Sequence, residues 1–336
     1  SITIHKAAPS NIALIKYWGK HDGQLPRNPS MSITLQNSLT KTSLSYRNTE
    51  NEPRIEYCFE GVRNMLFEDK VKSFLNQIKD EIHVISGKEL IFNSHNTFPH
   101  SVGIASSASS MAALTQCLVE MEKIETGKVV SDEMAAKRAS NLARMGSGSA
   151  SRSLFDGWVT WGKIDGLPDT SDLYASPYAG EISTLFSSLG DAILIVSSES
   201  KALSSSLGHR LMDAHPFAEA RYQQARGNLV ELMDILKSND FSRFASIVEQ
   251  EALTLHSLLM TSSDKGLLLH PNSIHIINAI RRARNRQGLM VCFTIDAGPN
   301  IHLLYPLHER EQVLLFIEND LSQWCENGKW IDDRMR

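Results

Sequence analysis

The segment Asn11-Ile-Ala-Leu-Ile-Lys-Tyr-Trp-Gly-Lys20 places two ammonium groups at the end of an apolar run. The run reads as a buried strand, and a desolvated charge is costly unless it is paired. No acidic residue precedes Asp22, so the neighbouring sequence offers Lys16 and Lys20 no partner. A bound anion is the expected counter-ion; the alternative is that both lysines snorkel into water from a strand end. A second segment, Pro99-His-Ser-Val-Gly-Ile-Ala-Ser-Ser-Ala-Ser-Ser110, is a Gly- and Ser-rich turn feeding a helix. Unpaired N–H groups at a helix N-terminus suit phosphate, and small residues let it approach the backbone. The turn is neither a Walker A loop nor G-x-G-x-x-G, and an ordinary serine-capped helix would have the same composition.

Arg144-Met-Gly-Ser-Gly-Ser-Ala-Ser-Arg-Ser153 repeats the idea. Ser147, Gly148 and Ser149 can turn their N–H groups toward one anion, and Arg152 adds a planar fork for carboxylate or phosphate. Thr294-Ile-Asp-Ala-Gly-Pro-Asn300 sets Asp296 where an apolar strand meets a Gly-Pro turn. Such an aspartate commonly serves the turn, but beside phosphate loops it can accept or orient a hydroxyl proton. Two anion loops, two lysines and one carboxylate imply a nucleotide and a second substrate with several negative charges.

These residues need elements to hold them. Residues 32–35, 42–46, 54–59 and 90–93 read as short strands, and 69–82 as a helix. A helix starts at Ser106 and another near Ser131, with Asp132 and Glu133 suited to its first turn. The second part opens with a strand at 192–196. The aperiodic, serine-rich stretch 197–206 follows, expected to be a mobile linker or lid. Helices are expected at 217–237, 241–259 and 273–286, strands at 291–295 and 302–305, and a closing helix at 309–324. Without regular βαβ alternation the class is α+β. We expect two domains, 1–187 and 188–336, since the 336 residues exceed the usual size of one core.

Composition narrows the partners. A formal net charge of −4 argues against a nucleic-acid surface. The cluster Arg281, Arg282, Arg284 and Arg286 reads as a helix tail complementing the dipole. Cys58, Cys117, Cys292 and Cys325 show neither metal spacing nor a disulfide framework, and Cys117 and Cys292 read as buried thiols. No H-E-x-x-H pattern suggests a protein-ligated metal. Neither a signal-peptide pattern nor an apolar run of membrane-spanning length is visible, so a cytoplasmic protein without a membrane partner is expected.

Together these segments resemble the GHMP kinase superfamily and, within it, the mevalonate diphosphate decarboxylases. The superfamily signal is Pro99-x-x-x-Gly103-x-x-Ser106-Ser107-Ala108. The narrower signals are Asn11 to Lys20, Gly146-Ser-Gly-Ser-Ala-Ser-Arg-Ser153 and Phe293-Thr-Ile-Asp-Ala-Gly-Pro-Asn300, in the family's order across nearly the whole chain. The resemblance implies a two-domain GHMP kinase-like fold, with mixed sheets packed on helices and a cleft between the domains. It implies ATP-dependent decarboxylation of mevalonate 5-diphosphate to isopentenyl diphosphate, with ATP and Mg²⁺ required and a homodimer formed. Asp296 would act on the tertiary 3-hydroxyl and Arg152 would hold the substrate carboxylate; Lys16 joins this catalytic group by its matching position. Asn11, Tyr17, Lys20, Ser147, Gly148 and Ser149 would bind substrate, chiefly its diphosphate. Asn96, Pro99, Gly103, Ala105, Ser106, Ser107 and Lys201 would serve ATP, with magnesium carried on the phosphates and Ser107 a possible ligand.

The family pattern is broken at three places. Ser151 replaces a frequent cysteine, His209 a frequent methionine, and Ser206 an arginine that some members use for diphosphate, with Arg210 a nearby substitute. Other readings are a phosphomevalonate decarboxylase, a mevalonate 3-kinase, or a non-catalytic ATP-binding protein on the same scaffold.

Overall fold

The computed structural model describes residues 1–99, 106–199, 205–263 and 266–336. Its first strand, β1 (Ile2–Ile15), is half-exposed to Ala7 and buried at every position from Ala8 onward. That change explains the continuous apolar run: its second half is covered on both faces. β1 pairs antiparallel with β2 (Ser30–Asn48) from Ile2↔Tyr46 to Ile15↔Met31. The two short strands expected at 32–35 and 42–46 are therefore one. Polar residues between them continue the strand because each finds a partner; Thr40, for example, bonds Asn96 and Ser109 at 2.7 Å.

β3 (Ile55–Phe59), β4 (Val62–Arg63), α1 (Met65–Ile78) and β5 (Lys88–Asn96) extend this first layer. α2 (Ser106–Thr126) lies against it with Ala108, Ser109, Ala112 and Ala113 buried, small residues that permit close approach to the sheet. α3 (Asp132–Gly146) is capped by Ser131, whose hydroxyl accepts from the Met134 N–H, as expected from the sequence. A 3₁₀ turn (Gly148–Leu154) leads into β6 (Trp158–Trp161) and β7 (Ala175–Pro177). Among the described residues the sheet runs β4-β3-β5-β2-β6-β7, with β1 also on β2.

The second sheet starts with β8 (Leu189–Leu194). After α4 (Ser205–Leu211), α5 (Ala218–Leu236), α6 (Phe241–Met260) and α7 (Pro271–Gln287) come β9 (Cys292–Thr294) and β10 (Ile301–Pro306). The arginine cluster does fall in the last turns of α7, with Gly288 in the left-handed conformation at its end. The closing helix expected at 309–324 is broken: α8 (Arg310–Phe316) passes into a π turn (Ile317–Leu321) and a 3₁₀ turn. A strand unforeseen in the sequence, β11 (Trp330–Arg334), completes the antiparallel order β11-β8-β10-β9. Cys117 and Cys292 are fully buried.

The two sheets share a core. Ile12, Ile15, Met31 and Ile33 pack in one cluster with Ile193, Leu229, Phe244 and Leu304. The chain end adds a polar seam across the same junction. Asp333 on β11 accepts from the Ser38 hydroxyl at 2.6 Å and the Asn37 N–H at 2.9 Å, while Arg336 N–H donates to Thr34 at 2.9 Å. Among the described residues no helix is long and apolar enough to cross a membrane.

Candidate active site

Lys16 follows the last paired residue of β1, where the strand runs under α5 and α6. Its ammonium does not snorkel: the side chain is 2% exposed and donates to Asp296 Oδ1 at 2.8 Å. The expectation that its counter-ion is a bound ligand is corrected here, because the partner is a carboxylate 280 residues away. Burial makes the ammonium give up its proton more readily, with Asp296 and Glu251 acting in the opposite sense. Asp296 sits just past β9 with its side chain 34% exposed, and its carbonyl accepts from His256 Nε2 at 2.9 Å. That contact fixes the His256 tautomer, and burial drives its pKa down to about 4.

Arg152 is buried on the 3₁₀ turn. Its Nε donates to Asn11 Oδ1 at 3.1 Å and its Nη1 to Ser30 Oγ at 2.7 Å. Asn11 is held in turn by donation to the Ser153 hydroxyl at 2.7 Å and the Ser149 carbonyl at 3.1 Å. One side of the guanidinium is thus tied to β1 and β2, so that the planar group is oriented by protein before any ligand arrives. Desolvation lowers its pKa, opposed by Asp296 and Tyr17, and an arginine so placed stays charged.

Tyr17 is wedged between Trp161 and His209, with ring centroids 4.6 and 4.3 Å away. Its buried hydroxyl has no hydrogen-bond partner among the described residues. A Cβ on Gly148 would lie 2.8 Å from that oxygen, so the bare glycine lets the phenol reach the backbone of the turn. An orphaned buried hydroxyl against a Gly-Ser turn is chemically suited to a phosphate oxygen. Gly19 takes φ +92°, with Tyr222 filling the place of any side chain. Its N–H donates to His209 Nδ1 at 2.9 Å. Burial, and then the charges of Lys20 and Arg152, hold His209 neutral with a pKa of about 3. Lys20 is half-buried and donates to Gln24 at 2.7 Å; burial and then Arg210 lower its pKa.

The structure therefore joins Lys16, Asp296, Asn11, Ser149 and Arg152 by direct contacts or shared charge, and Tyr17 and Gly148 by close packing. Ser106 and Ser107 start α2, a helix with no acidic residue in its first turn. Pro99 is exposed, and Asn96 reaches α2 through Thr40 and Ser109 rather than touching the carboxylate. Gly103, Ala105, residues 200–204 of the serine-rich stretch with Lys201 among them, and the Ser206 side chain lie outside the described residues.

A family model described as the diphosphomevalonate decarboxylase-like N-terminal domain matches residues 8–173. A second, the mevalonate 5-diphosphate decarboxylase C-terminal domain, matches residues 192–333. The diphosphomevalonate decarboxylase of Ganoderma lucidum is 32% identical, covering 96% of this chain and 83% of that protein. This chain belongs to the mevalonate diphosphate decarboxylase family.

Solved structures of the family share the whole fold. The mevalonate diphosphate decarboxylase from Staphylococcus aureus aligns with a TM-score of 0.84 at 26% identity, covering 100% of this chain and 96% of that one. A complex described as MDDEF with MVAPP, AMPPCP and magnesium aligns with a TM-score of 0.83 at 28% identity, covering 99% and 96%. The two-sheet α+β architecture is thus the GHMP kinase-like fold of mevalonate diphosphate decarboxylases. Five residues bonded into this cluster carry no motif in the sequence: Ser30, Asn28, Arg221, Glu251 and His256.

Proposed function

We propose that this chain catalyses ATP-dependent decarboxylation of mevalonate 5-diphosphate. The observation that supports the reading best is the meeting of Asp296 with buried Lys16 in the field of buried, pre-oriented Arg152. Asp296 takes the proton of the tertiary 3-hydroxyl as that oxygen attacks the γ-phosphorus and ADP leaves. Phosphate then departs from C3 with its bonding pair. The bond between the carboxylate carbon and C2 supplies the electrons of the new C2=C3 double bond, releasing carbon dioxide and isopentenyl diphosphate. Arg152 holds the carboxylate through its face away from Asn11 and Ser30. Tyr17, Lys20 and the turn at Ser147, Gly148 and Ser149 hold the diphosphate, each charge-assisted bond contributing about 1.5–3 kcal/mol. Several are needed to reach the ~8 kcal/mol of micromolar affinity.

Asn96, Pro99, Gly103, Ala105, Ser106, Ser107 and Lys201 belong to the ATP side of this reading. Magnesium fits it as a phosphate-bound ion. Among the described residues no group of three His, Cys, Asp or Glu side chains could hold a metal, whereas α2 opens with two hydroxyls. When bound, it neutralises charge on the transferred phosphoryl group. A division into domains 1–187 and 188–336 and a cytoplasmic location complete the proposal, together with a homodimer that the family resemblance implies.

The test supplies ATP and magnesium with mevalonate, its 5-phosphate or its 5-diphosphate, and follows carbon dioxide and ADP. Release of both from the diphosphate is expected. Turnover of the monophosphate alone, ADP from mevalonate without carbon dioxide, or no turnover at all would each replace this reading with one of its three rivals.

A further inference from the structure

Lys16 sits one residue beyond the last β1–β2 pair, Ile15↔Met31, so its main chain has no ladder partner among the described residues. Side chains take over that task. The Lys16 N–H donates to Glu251 Oε2 at 2.8 Å, and its carbonyl accepts from Arg221 Nη2 at 3.1 Å and Asn28 Nδ2 at 3.0 Å. Arg221 and Glu251 are joined through both carboxylate oxygens at 2.7 and 2.6 Å, and Asn228 adds a donor to Glu251 at 2.7 Å. We infer that Arg221 and Glu251 are positioning residues: a two-helix clamp that grips the Lys16 main chain and thereby aims its ammonium at Asp296. The inference rests on the function proposed above.

Stability alone accounts poorly for this pair. Arg221 and Glu251 are 1% and 0% exposed, and Arg221 Nε has no partner among the described residues. Two such charges forfeit hydration that their attraction seldom exceeds, and apolar residues of similar volume serve a core equally well. What apolar residues cannot do is hold one N–H and one carbonyl of a strand end at a fixed position. Arg221 lies on α5, Glu251 on α6 and Asp296 just past β9, all in the second half of the chain, whereas Lys16 comes from the first. The clamp therefore ties the strand end to α6, which packs on β9 and reaches the Asp296 carbonyl through His256, and to α5 packed against α6. Lys16 acts across 2.8 Å, and a drift of about 1 Å in a reacting group can cost about 10²-fold in rate.

The test compares wild type, Arg221→Met/Glu251→Met and Arg221→Lys for melting temperature, kcat, and KM for ATP and mevalonate 5-diphosphate. The double variant leaves the Lys16 N–H and one Asn228 donor unpaired, so a lower melting temperature is expected together with kcat reduced about 10²-fold and KM for ATP within about twofold. Arg221→Lys keeps the buried charge but lacks the fork that reaches Glu251 and the Lys16 carbonyl together, so about a tenfold loss of kcat is expected. A folded double variant with wild-type kcat overturns the inference. So does an Arg221→Lys protein with wild-type kcat, which decides the matter alone if the double variant does not fold. A lowered melting temperature with kcat intact would mark the pair as structural. If wild type itself releases no carbon dioxide from the diphosphate, the proposed function fails instead.

Discussion

Replacing Lys16 with methionine removes a buried cation while keeping an unbranched side chain of similar length. The Lys16 Nζ to Asp296 Oδ1 distance is 2.8 Å, with the lysine buried and the aspartate about one-third exposed. Two unit charges about 4 Å apart interact by about 4 kcal/mol at an effective dielectric of about 20. Solvent at the exposed edge of Asp296 and the nearby charge of Arg152 reduce what the carboxylate loses to about 1.4–2.7 kcal/mol, or about 1–2 pH units. The sign follows from which form the cation favours. Lys16 stabilises the ionised carboxylate, so its removal lets Asp296 take a proton at higher pH, and the proposed reaction needs that site empty. The groups that remain near Asp296 include Arg152, which still favours the ionised form, Asp191, which opposes it, and His256 on its carbonyl. The assay is kcat for mevalonate 5-diphosphate between about pH 5 and about pH 9, at saturating ATP and magnesium. The acid limb should move up by about 1–2 units, with a lower plateau. An acid limb that stays where the wild type has it would refute the electrostatic role given to Lys16.

Three other outcomes follow from the same geometry. In Gly148→Ala the new Cβ would lie 2.8 Å from both Trp161 and Tyr17 Oη. Overpacking of about 1–3 kcal/mol should appear in denaturant melts, and KM for the diphosphate should rise more than KM for ATP. His209 is held neutral down to about pH 3 by burial, Lys20 and Arg152. The unfolded chain takes that proton near pH 6.5, so wild-type stability falls with pH below this value by up to about 1.4 kcal/mol per unit. His209→Met should lose about 2 kcal/mol less than wild type between pH 7 and pH 5, and parallel denaturation curves would contradict this. Asp333→Ala removes two charge-assisted bonds between β11 and β2 and should cost about 2–4 kcal/mol in urea unfolding.

What the sequence discloses and what it hides divide along a physical line. Local rules place α2, α3, α5, α6 and α7, because amphipathic period, Ser131 at a cap and Gly288 past a helix end act within a few residues. The Gly-Ser turn before Arg152 and the strand-end carboxylate Asp296 are legible for the same reason. The partner of Lys16 is not, since no periodicity within residues 1–22 encodes a contact with Asp296. Arg221 and Glu251 look like solvated charges on their helices until tertiary packing turns them inward against β1. β2 looks like two strands because Ser38 and Thr40 interrupt its apolar pattern; Asp333, Asn96 and Ser109 satisfy their hydroxyls and let the strand run on. β11 is hidden by Asp332 and Asp333, which read as a charged tail although the latter is buried.

In the proposed reaction Asp296 handles the proton of the alcohol that receives the phosphoryl group. The most direct test of that role is single-turnover decarboxylation of mevalonate 5-diphosphate by Asp296→Asn, with substrate and ATP binding measured on the same protein. Binding close to wild type is expected, with a rate lower by at least about 10²-fold. Wild-type decarboxylation by the folded variant would contradict the role.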